Sequence, residues 1–397
     1  MKLIISCLIL FFSITISIAQ KPLDLNQGQP QQKDFIMTMP YKDVNGKIVI
    51  QVSLNNSPYK FIVDTGAPTA ISEEIFNAIK TQPLGTIPMS DQSGAIDSIR
   101  VVSVERITIN EITFEKTPAI VAKEPQILFQ CYGVQGIIGS NLLRNTTIQF
   151  NAKEKQLILT DSPKKLKLKK KYASDMVLTP SQSNPFLKIY LRNTKTYVNE
   201  QVLFDTGDND LYTLSNAVYT NVPEDMILFN KLYHGEGSFT MGFHGTAEKQ
   251  THLVIGVPQI EVNGSPFKNI VTKTTYSETS RVGSDILNYG IVTLDYPNKI
   301  FYFEPNSKEG VDVSKKIWPL DPILKDQKMV VGIIWDPSLV DKINIGDEIL
   351  KFDTLDFQNM ELCQIVLGNN KLDKEKAILI LRDTKTGEEK TVEINKI

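Results

Sequence analysis

The sequence predicts an all-β protein in which two duplicated β lobes form a cleft and a small α+β domain follows. Three observations carry this expectation. The stretch Phe61-Ile62-Val63-Asp64-Thr65-Gly66-Ala67 has a second copy, Val202-Leu203-Phe204-Asp205-Thr206-Gly207-Asp208, 205 − 64 = 141 residues later. Each copy is followed at a similar distance by an apolar-glycine motif. These are Ile138-Gly139-Ser140-Asn141-Leu142-Leu143 at 139 − 64 = 75 residues and Val282-Gly283-Ser284-Asp285-Ile286-Leu287 at 283 − 205 = 78. From about residue 311 the order of strands and turns changes and no longer repeats either lobe.

At 397 residues the chain exceeds what one compact core holds, so two or three domains are expected. A hydrophobic share of 41% with 22% charged residues is that of an ordinary globular protein. The formal charge of −2 gives no reason to expect nucleic acid as a partner. Residues 1–19 join Lys2 to an apolar run and a small-x-small site at Ser17-Ile18-Ala19, the pattern of a secretory signal peptide. An exported protein, periplasmic or secreted, without a membrane span in its mature form is expected. Cys7 has no lipoprotein box, so no lipid anchor is expected. Residues 20–34 are polar and glutamine-rich and read as a flexible leader. The two cysteines beyond the signal, Cys131 and Cys363, fall in different expected domains, so no disulfide framework is expected.

The first lobe is expected over residues 35–165. Residues 47–54, the turn Asn55-Asn56-Ser57-Pro58 and residues 59–63 form a hairpin whose second strand delivers Asp64. A short helix follows at 73–79. The stretch 88–95, containing Ser93 and Gly94, reads as a hairpin over the cleft, a flap, or equally as an ordinary exposed hairpin. Residues 148–159 close the unit. The lysine run at 163–172 reads as a solvent-facing strand linking the lobes rather than a basic binding patch. The second lobe, 166–310, repeats the order: a strand at 186–191, a turn at 193–199, and a strand into Asp205. Residues 233–239, with Gly235 and Gly237, fall where the first lobe has its candidate flap, and 293–303 form a closing hairpin.

The paired turns carry the chemistry. Water is too weak a nucleophile to attack an amide unaided. Two carboxylates held close together share one proton, because like charges at short range raise one pKa. One then accepts a proton from water while the other donates to the carbonyl oxygen. A single Asp-Thr-Gly is merely a good β-turn tripeptide; two copies in matching surroundings are not explained that way. Glycine permits the tight turn, and Thr65 and Thr206 are expected to brace the two turns.

On these motifs, residues 35–310 resemble the pepsin and retropepsin superfamily of aspartic proteases, most nearly the retropepsin-like secreted proteins of bacteria. The resemblance implies a cleft covered by a flap, Asp64 and Asp205 as the dyad with Thr65, Gly66, Thr206 and Gly207 in support, peptide or unfolded protein as substrate, and no metal or cofactor. The chain departs from the pattern at Ala67 and Asp208, where the family usually carries a hydroxyl beside the carboxylate, and at Arg281, where an apolar residue is commoner. Losing the hydroxyl and adding a negative charge both disfavour the ionised carboxylate. A dyad that titrates higher than pepsin's, with activity at weakly acidic to neutral pH, is expected.

His234, His244 and His252 lie within one short stretch but lack a His-Glu-x-x-His spacing, so no metal site is expected. Residues 311–397 look like a bacterial-type PDZ domain, with a Gly-Asp turn at Gly346-Asp347, a helix at 360–367 and strands at 377–382 and 390–394. Such a domain binds a peptide by strand addition. Its terminus-binding loop falls at Ile317-Trp318-Pro319-Leu320, which lacks the usual glycines, and a packing module that steadies the lobes is the other reading. The sequence thus points to an exported aspartic endopeptidase, with a peptide-binding protein that uses the cleft and the PDZ-like groove as the alternative.

Overall fold

The computed structural model describes residues 23–90, 96–123, 126–242, 245, 246, 248–368, 372 and 374–397. The expected signal peptide, Ser93, Gly94 and His244 lie outside the described residues. The fold is all-β with a few short helices.

In the first lobe the strands Lys47–Leu54 and Ser57–Asp64 pair around Asn55 and Asn56, whose φ of 49° and 67° are left-handed. Asparagine tolerates that region, and the resulting turn matches the twist of a hairpin. The strand into Asp64 is flanked on its other side by Gly136–Gly139, parallel, with Asp64 opposite Gly139. In the second lobe Tyr197–Asp205 pairs with Pro185–Arg192 and, in parallel, with Arg281–Gly283, placing Asp205 opposite Gly283. The register of the two units is the same. The closing hairpins then join the lobes. Thr147–Asn151 pairs antiparallel with Gly290–Asp295, so one sheet runs from lobe to lobe. Phe150, Phe204 and Phe301 pack across this junction, with ring centroids 6.3 and 5.5 Å apart, in one continuous apolar core.

Two expectations about connecting segments are corrected. Residues 23–34 are not a flexible leader. Leu25 is buried against Ala70, Ile120, Val134 and Ile137. Gln29–Pro30 adds to the strand Ile112–Ala122, and Leu25 N–H donates to Ser181 of the second lobe. One leucine among polar residues carries too little apolar signal to reveal an anchored strap. The lysine run is likewise not a strand: it folds as two 3-10 turns, Pro163–Lys165 and Lys170–Tyr172.

The C-terminal domain is a six-stranded sheet in the order Leu320–Lys325, Lys328–Ile334, Glu348–Phe352, Lys376–Arg382, Glu389–Asn395, with Leu355–Asp356 beside the third strand. Its helix Leu362–Leu367 begins with a capping box between Glu361 and Gln364 and ends at Gly368 in the left-handed region. Leu320, Val331, Ile349, Leu379 and Leu381 form a separate core. Among the described residues this domain is attached to the rest on two sides. On one side Cys131, in the helix Ile127–Tyr132, is disulfide-bonded to Cys363, correcting the expectation of no disulfide. Their Cα atoms are 4.7 Å apart across a sequence separation of 232 residues. On the other side Ile333 and Trp335 pack with Val254, Tyr233 and Phe239 of the second lobe. The domain therefore bridges both lobes.

Candidate active site

Each aspartate stands at the end of a buried strand and is held by the turn that follows. Asp64 Oδ1 accepts the N–H groups of Gly66 and Ala67 at 2.9 and 3.1 Å. Asp205 Oδ1 accepts that of Gly207 at 2.8 Å. The two turns are locked by a reciprocal set of four bonds. Thr65 N–H donates to Thr206 Oγ1 at 3.1 Å and Thr206 N–H to Thr65 Oγ1 at 3.0 Å. Thr65 Oγ1 donates to the Phe204 carbonyl at 2.7 Å, and Thr206 Oγ1 to that of Val63 at 2.9 Å. Both threonines are fully buried.

The glycines are dictated by how closely the carboxylates approach. A Cβ added at Gly66 would lie 2.4 Å from Asp205 Cγ, and one at Gly207 would lie 2.3 Å from Asp64 Oδ2. Each turn is thus shaped around the other turn's carboxylate. Gly139 and Gly283 pack behind the turns: a Cβ there would meet the Pro68 carbonyl carbon at 2.3 Å and the Asp210 carbonyl oxygen at 2.2 Å. Ser140 Oγ donates to the Thr65 carbonyl and lies 2.7 Å from Tyr296 Oη, so a second-lobe tyrosine backs the first-lobe turn.

The electrostatic surroundings of the two aspartates differ. Asp64 is half-exposed and Asp205 is buried. Burial, and then the charge of Asp64, push Asp205 up to about 7, against the opposing charges of Arg281 and Lys47. Asp208 is pushed up to about 6 by the burial of its carboxyl, then by Asp205 and Asp210. Its oxygens accept from Thr213 Oγ1 at 2.8 Å and from Asp210 N–H at 2.9 Å. Arg281 Nε lies 3.3 Å from Asp205 Oδ2. Lys47 Nζ donates to the Gly207 carbonyl from the first lobe. Burial pushes the Tyr296 hydroxyl above its ordinary range. A pair of close carboxyls of which one stays protonated to near-neutral pH can serve as acid and base in the same step.

Asp64, Thr65, Gly66, Ala67, Asp205, Thr206, Gly207 and Asp208 come together at this one place. The hairpin expected as a flap is present as Thr81–Ser90 paired with Ile96–Ile109, with its tip outside the described residues. Gly235 and Gly237 are corrected: they lie in a seam with the C-terminal domain. A Cβ at Gly235 would lie 2.5 Å from the Ile334 carbonyl oxygen and one at Gly237 2.1 Å from that of Gly332, to which Ser238 N–H donates at 3.0 Å. Their lack of side chains serves this backbone contact, and the strand that carries them is not free to swing. Ile317, Trp318, Pro319 and Leu320 are also corrected as groove residues. Ile317 packs in the seam with the second lobe and exchanges backbone hydrogen bonds with Ile397. Trp318 packs edge-to-face with Phe352, the Pro319 carbonyl accepts from the Trp335 and Asp336 N–H groups, and Leu320 is core. Among the described residues no cluster of His, Cys, Asp and Glu is placed to hold a metal ion.

Sequence reasoning missed Lys47, Tyr296 and the role of Arg281. Only Arg281 had a signal, a charge inside an apolar strand just before Val282-Gly283. Residues 50–145, which include the first Asp-Thr-Gly, match the model of the family described as gag-polyprotein putative aspartyl protease. No curated protein matches the chain at a significant level. Among solved structures, it is similar to a retropepsin-like aspartic protease from Rickettsia conorii, at 18% identity and a TM-score of 0.25, over 34% of this chain and 94% of that one. The family match covers residues 50–145 alone, so it includes Asp64 and its turn but not Asp205.

Proposed function

We propose that the protein is an aspartic endopeptidase whose two lobes each supply one carboxyl of a proton-sharing dyad. The observation that carries this reading is the reciprocal fit of Gly66 against Asp205 and Gly207 against Asp64, since no packing role requires two carboxyls to be built this close. Asp205, buried and pushed up to about 7, holds the shared proton at weakly acidic pH. Asp64 takes a proton from the attacking water while Asp205 gives its proton to the substrate carbonyl oxygen. The carbon–oxygen bond forms as the carbonyl π bond opens to a gem-diol. In collapse, Asp64 returns its proton to the amide nitrogen as the carbon–nitrogen bond breaks, and a diol hydroxyl returns its proton to Asp205. No acyl-enzyme forms. Peptide or unfolded protein is the proposed substrate.

Export to the periplasm or cell exterior is proposed on the Cys131–Cys363 disulfide, since such bonds persist in oxidising compartments. The sheet order of the C-terminal domain and its helix Leu362–Leu367 support a PDZ-like reading of its fold. With Ile317 and Leu320 committed to packing, the role we propose for it is to steady the lobes. The test is cleavage of an unfolded-protein or peptide library across pH by the mature protein and by Asp64→Asn and Asp205→Asn. Cleavage by the first and by neither variant is expected. Peptides that are bound yet left intact at every pH would move the protein to the peptide-binding reading.

A further inference from the structure

We propose that Arg281 is a positioning residue for the dyad: its guanidinium, 3.3 Å from the Asp205 carboxyl, and the opposing charge of Asp208 in the same turn set how readily the pair releases its shared proton. This rests on reading Asp64 and Asp205 as a proton-sharing dyad.

The two lobes supply an internal control. The shared register, Asp64 opposite Gly139 and Asp205 opposite Gly283, makes Ile137 the first-lobe counterpart of Arg281 and Ala67 that of Asp208. Where the first turn has two apolar residues, the second has a cation 3.3 Å from the Asp205 carboxyl and an anion three residues further along the same turn, held by Thr213 and the Asp210 N–H. The side chains of Arg281 and Asp205 are only 10% and 7% exposed, so their charges are poorly screened. Arg281 Nη2 donates to Ser277 Oγ at 2.9 Å, which orients the guanidinium. Its Nε–H has no hydrogen-bond acceptor among the described residues. The contact with Asp205 Oδ2 is therefore one of charge, available to tighten as Asp205 ionises. A buried guanidinium without a counter-charge is strongly disfavoured, and Asp205 is the carboxylate it faces. The other charged groups acting on Asp205 are Asp64 across the dyad and Lys47 from the first lobe. Asp208, in the same turn, is coupled to Asp205 and to Asp210, and a charge interaction is mutual.

The signs are opposite and separable. Removing the Arg281 charge leaves the burial of Asp205 less opposed and raises the pH at which the last dyad proton leaves. Removing the Asp208 charge lowers that pH, but only where Asp208 is itself ionised, above about 6.

The test is kcat/KM against pH for the mature protein and its Arg281→Met, Arg281→Lys and Asp208→Asn variants on one peptide that the unaltered protein cleaves. Arg281→Met is expected to move the alkaline limb up by about one pH unit or more. Arg281→Lys, which keeps the charge, is expected to restore most of its position. Asp208→Asn is expected to move the same limb down by up to about one unit and leave the acid limb in place. Limbs that superimpose, with amplitude alone reduced, would overturn the proposal and leave Arg281 a packing residue. Should Arg281→Met fail to fold, the lysine and Asp208→Asn profiles decide. Should no peptide be cut at any pH, the endopeptidase reading fails separately. Carboxyl titration followed by carbon-13 NMR on aspartate-labelled protein then still reads the charge effect: an Asp205 titration unmoved by Asp208→Asn and by Arg281→Lys relative to Arg281→Met overturns it.

Discussion

The two Asp-Thr-Gly turns share a backbone plan and differ in what surrounds it. In the first, Asp64 is half-exposed, accepts two backbone N–H groups, and is followed by Ala67. In the second, Asp205 is buried, accepts one, and stands beside Asp208 and Arg281. The flanking hairpins differ in the same sense, since the second-lobe strand Asn230–Gly237 is seated on the C-terminal domain through Gly235 and Gly237. The comparison teaches that duplication preserves the geometry in which two carboxyls meet while their surroundings diverge, and on the proposed dyad reading that inequality is what the chemistry needs. A symmetric pair has no fixed acid and base; differences in burial and in neighbouring charge assign the roles.

The largest expected effect treats the turns as equals. Asp64→Asn and Asp205→Asn should each lower kcat/KM by at least about a thousandfold, because removing either partner removes the acid or the base. A variant that keeps more than a tenth of the activity would show that one carboxyl works alone. Next, Gly66→Ala and Gly207→Ala should each cost about a hundredfold in kcat by displacing the opposite carboxyl, with the fold kept as judged by circular dichroism. If only one of them matters, the reciprocal fit is not what positions the dyad.

The hairpin and domain side of the comparison is sharpened by the disulfide. Cys131→Ser should lower unfolding free energy by about 2–4 kcal/mol in denaturant titration, as expected when a long loop is opened. The seam at Gly235 and Trp335 on the other lobe should stay intact, readable as unchanged Trp fluorescence before unfolding.

The smallest expected effect is in the pH dependence of stability. Asp205 and Asp208 hold protons in the fold, to about 7 and about 6, that an unfolded carboxyl loses near pH 4. The stabilisation from these groups is therefore complete below about pH 4 and fades as pH rises toward neutrality. Asp205→Asn should remove part of that decline, so the variant gains on the unaltered protein between pH 4 and 7. A variant whose stability relative to the unaltered protein stays constant across that range would contradict the burial of an acidic proton at Asp205.

Much of the site was legible because it is local. Three apolar residues before Asp-Thr-Gly, and an apolar-glycine motif at matching distances, state their own geometry in consecutive residues. The hairpin around Asn55-Asn56 was legible for the same reason. What was misread depends on partners distant in the chain. Leu25 reads as part of a polar leader until Ala70 and Val134 close around it. Gly235 and Gly237 read as a flexible tip until a strand a hundred residues further on lies against them.

By itself, then, the sequence determined the two lobes, the two aspartates and the hydroxyl and glycine beside each, since hydrophobic period and turn chemistry act within a few residues. Only the tertiary structure decided the pairing of Cys131 with Cys363, the backing of the first turn by Tyr296, and the placing of Arg281 against Asp205. Those depend on distances between strands and domains that no local pattern encodes, and charge interactions and covalent pairing are decided by distance.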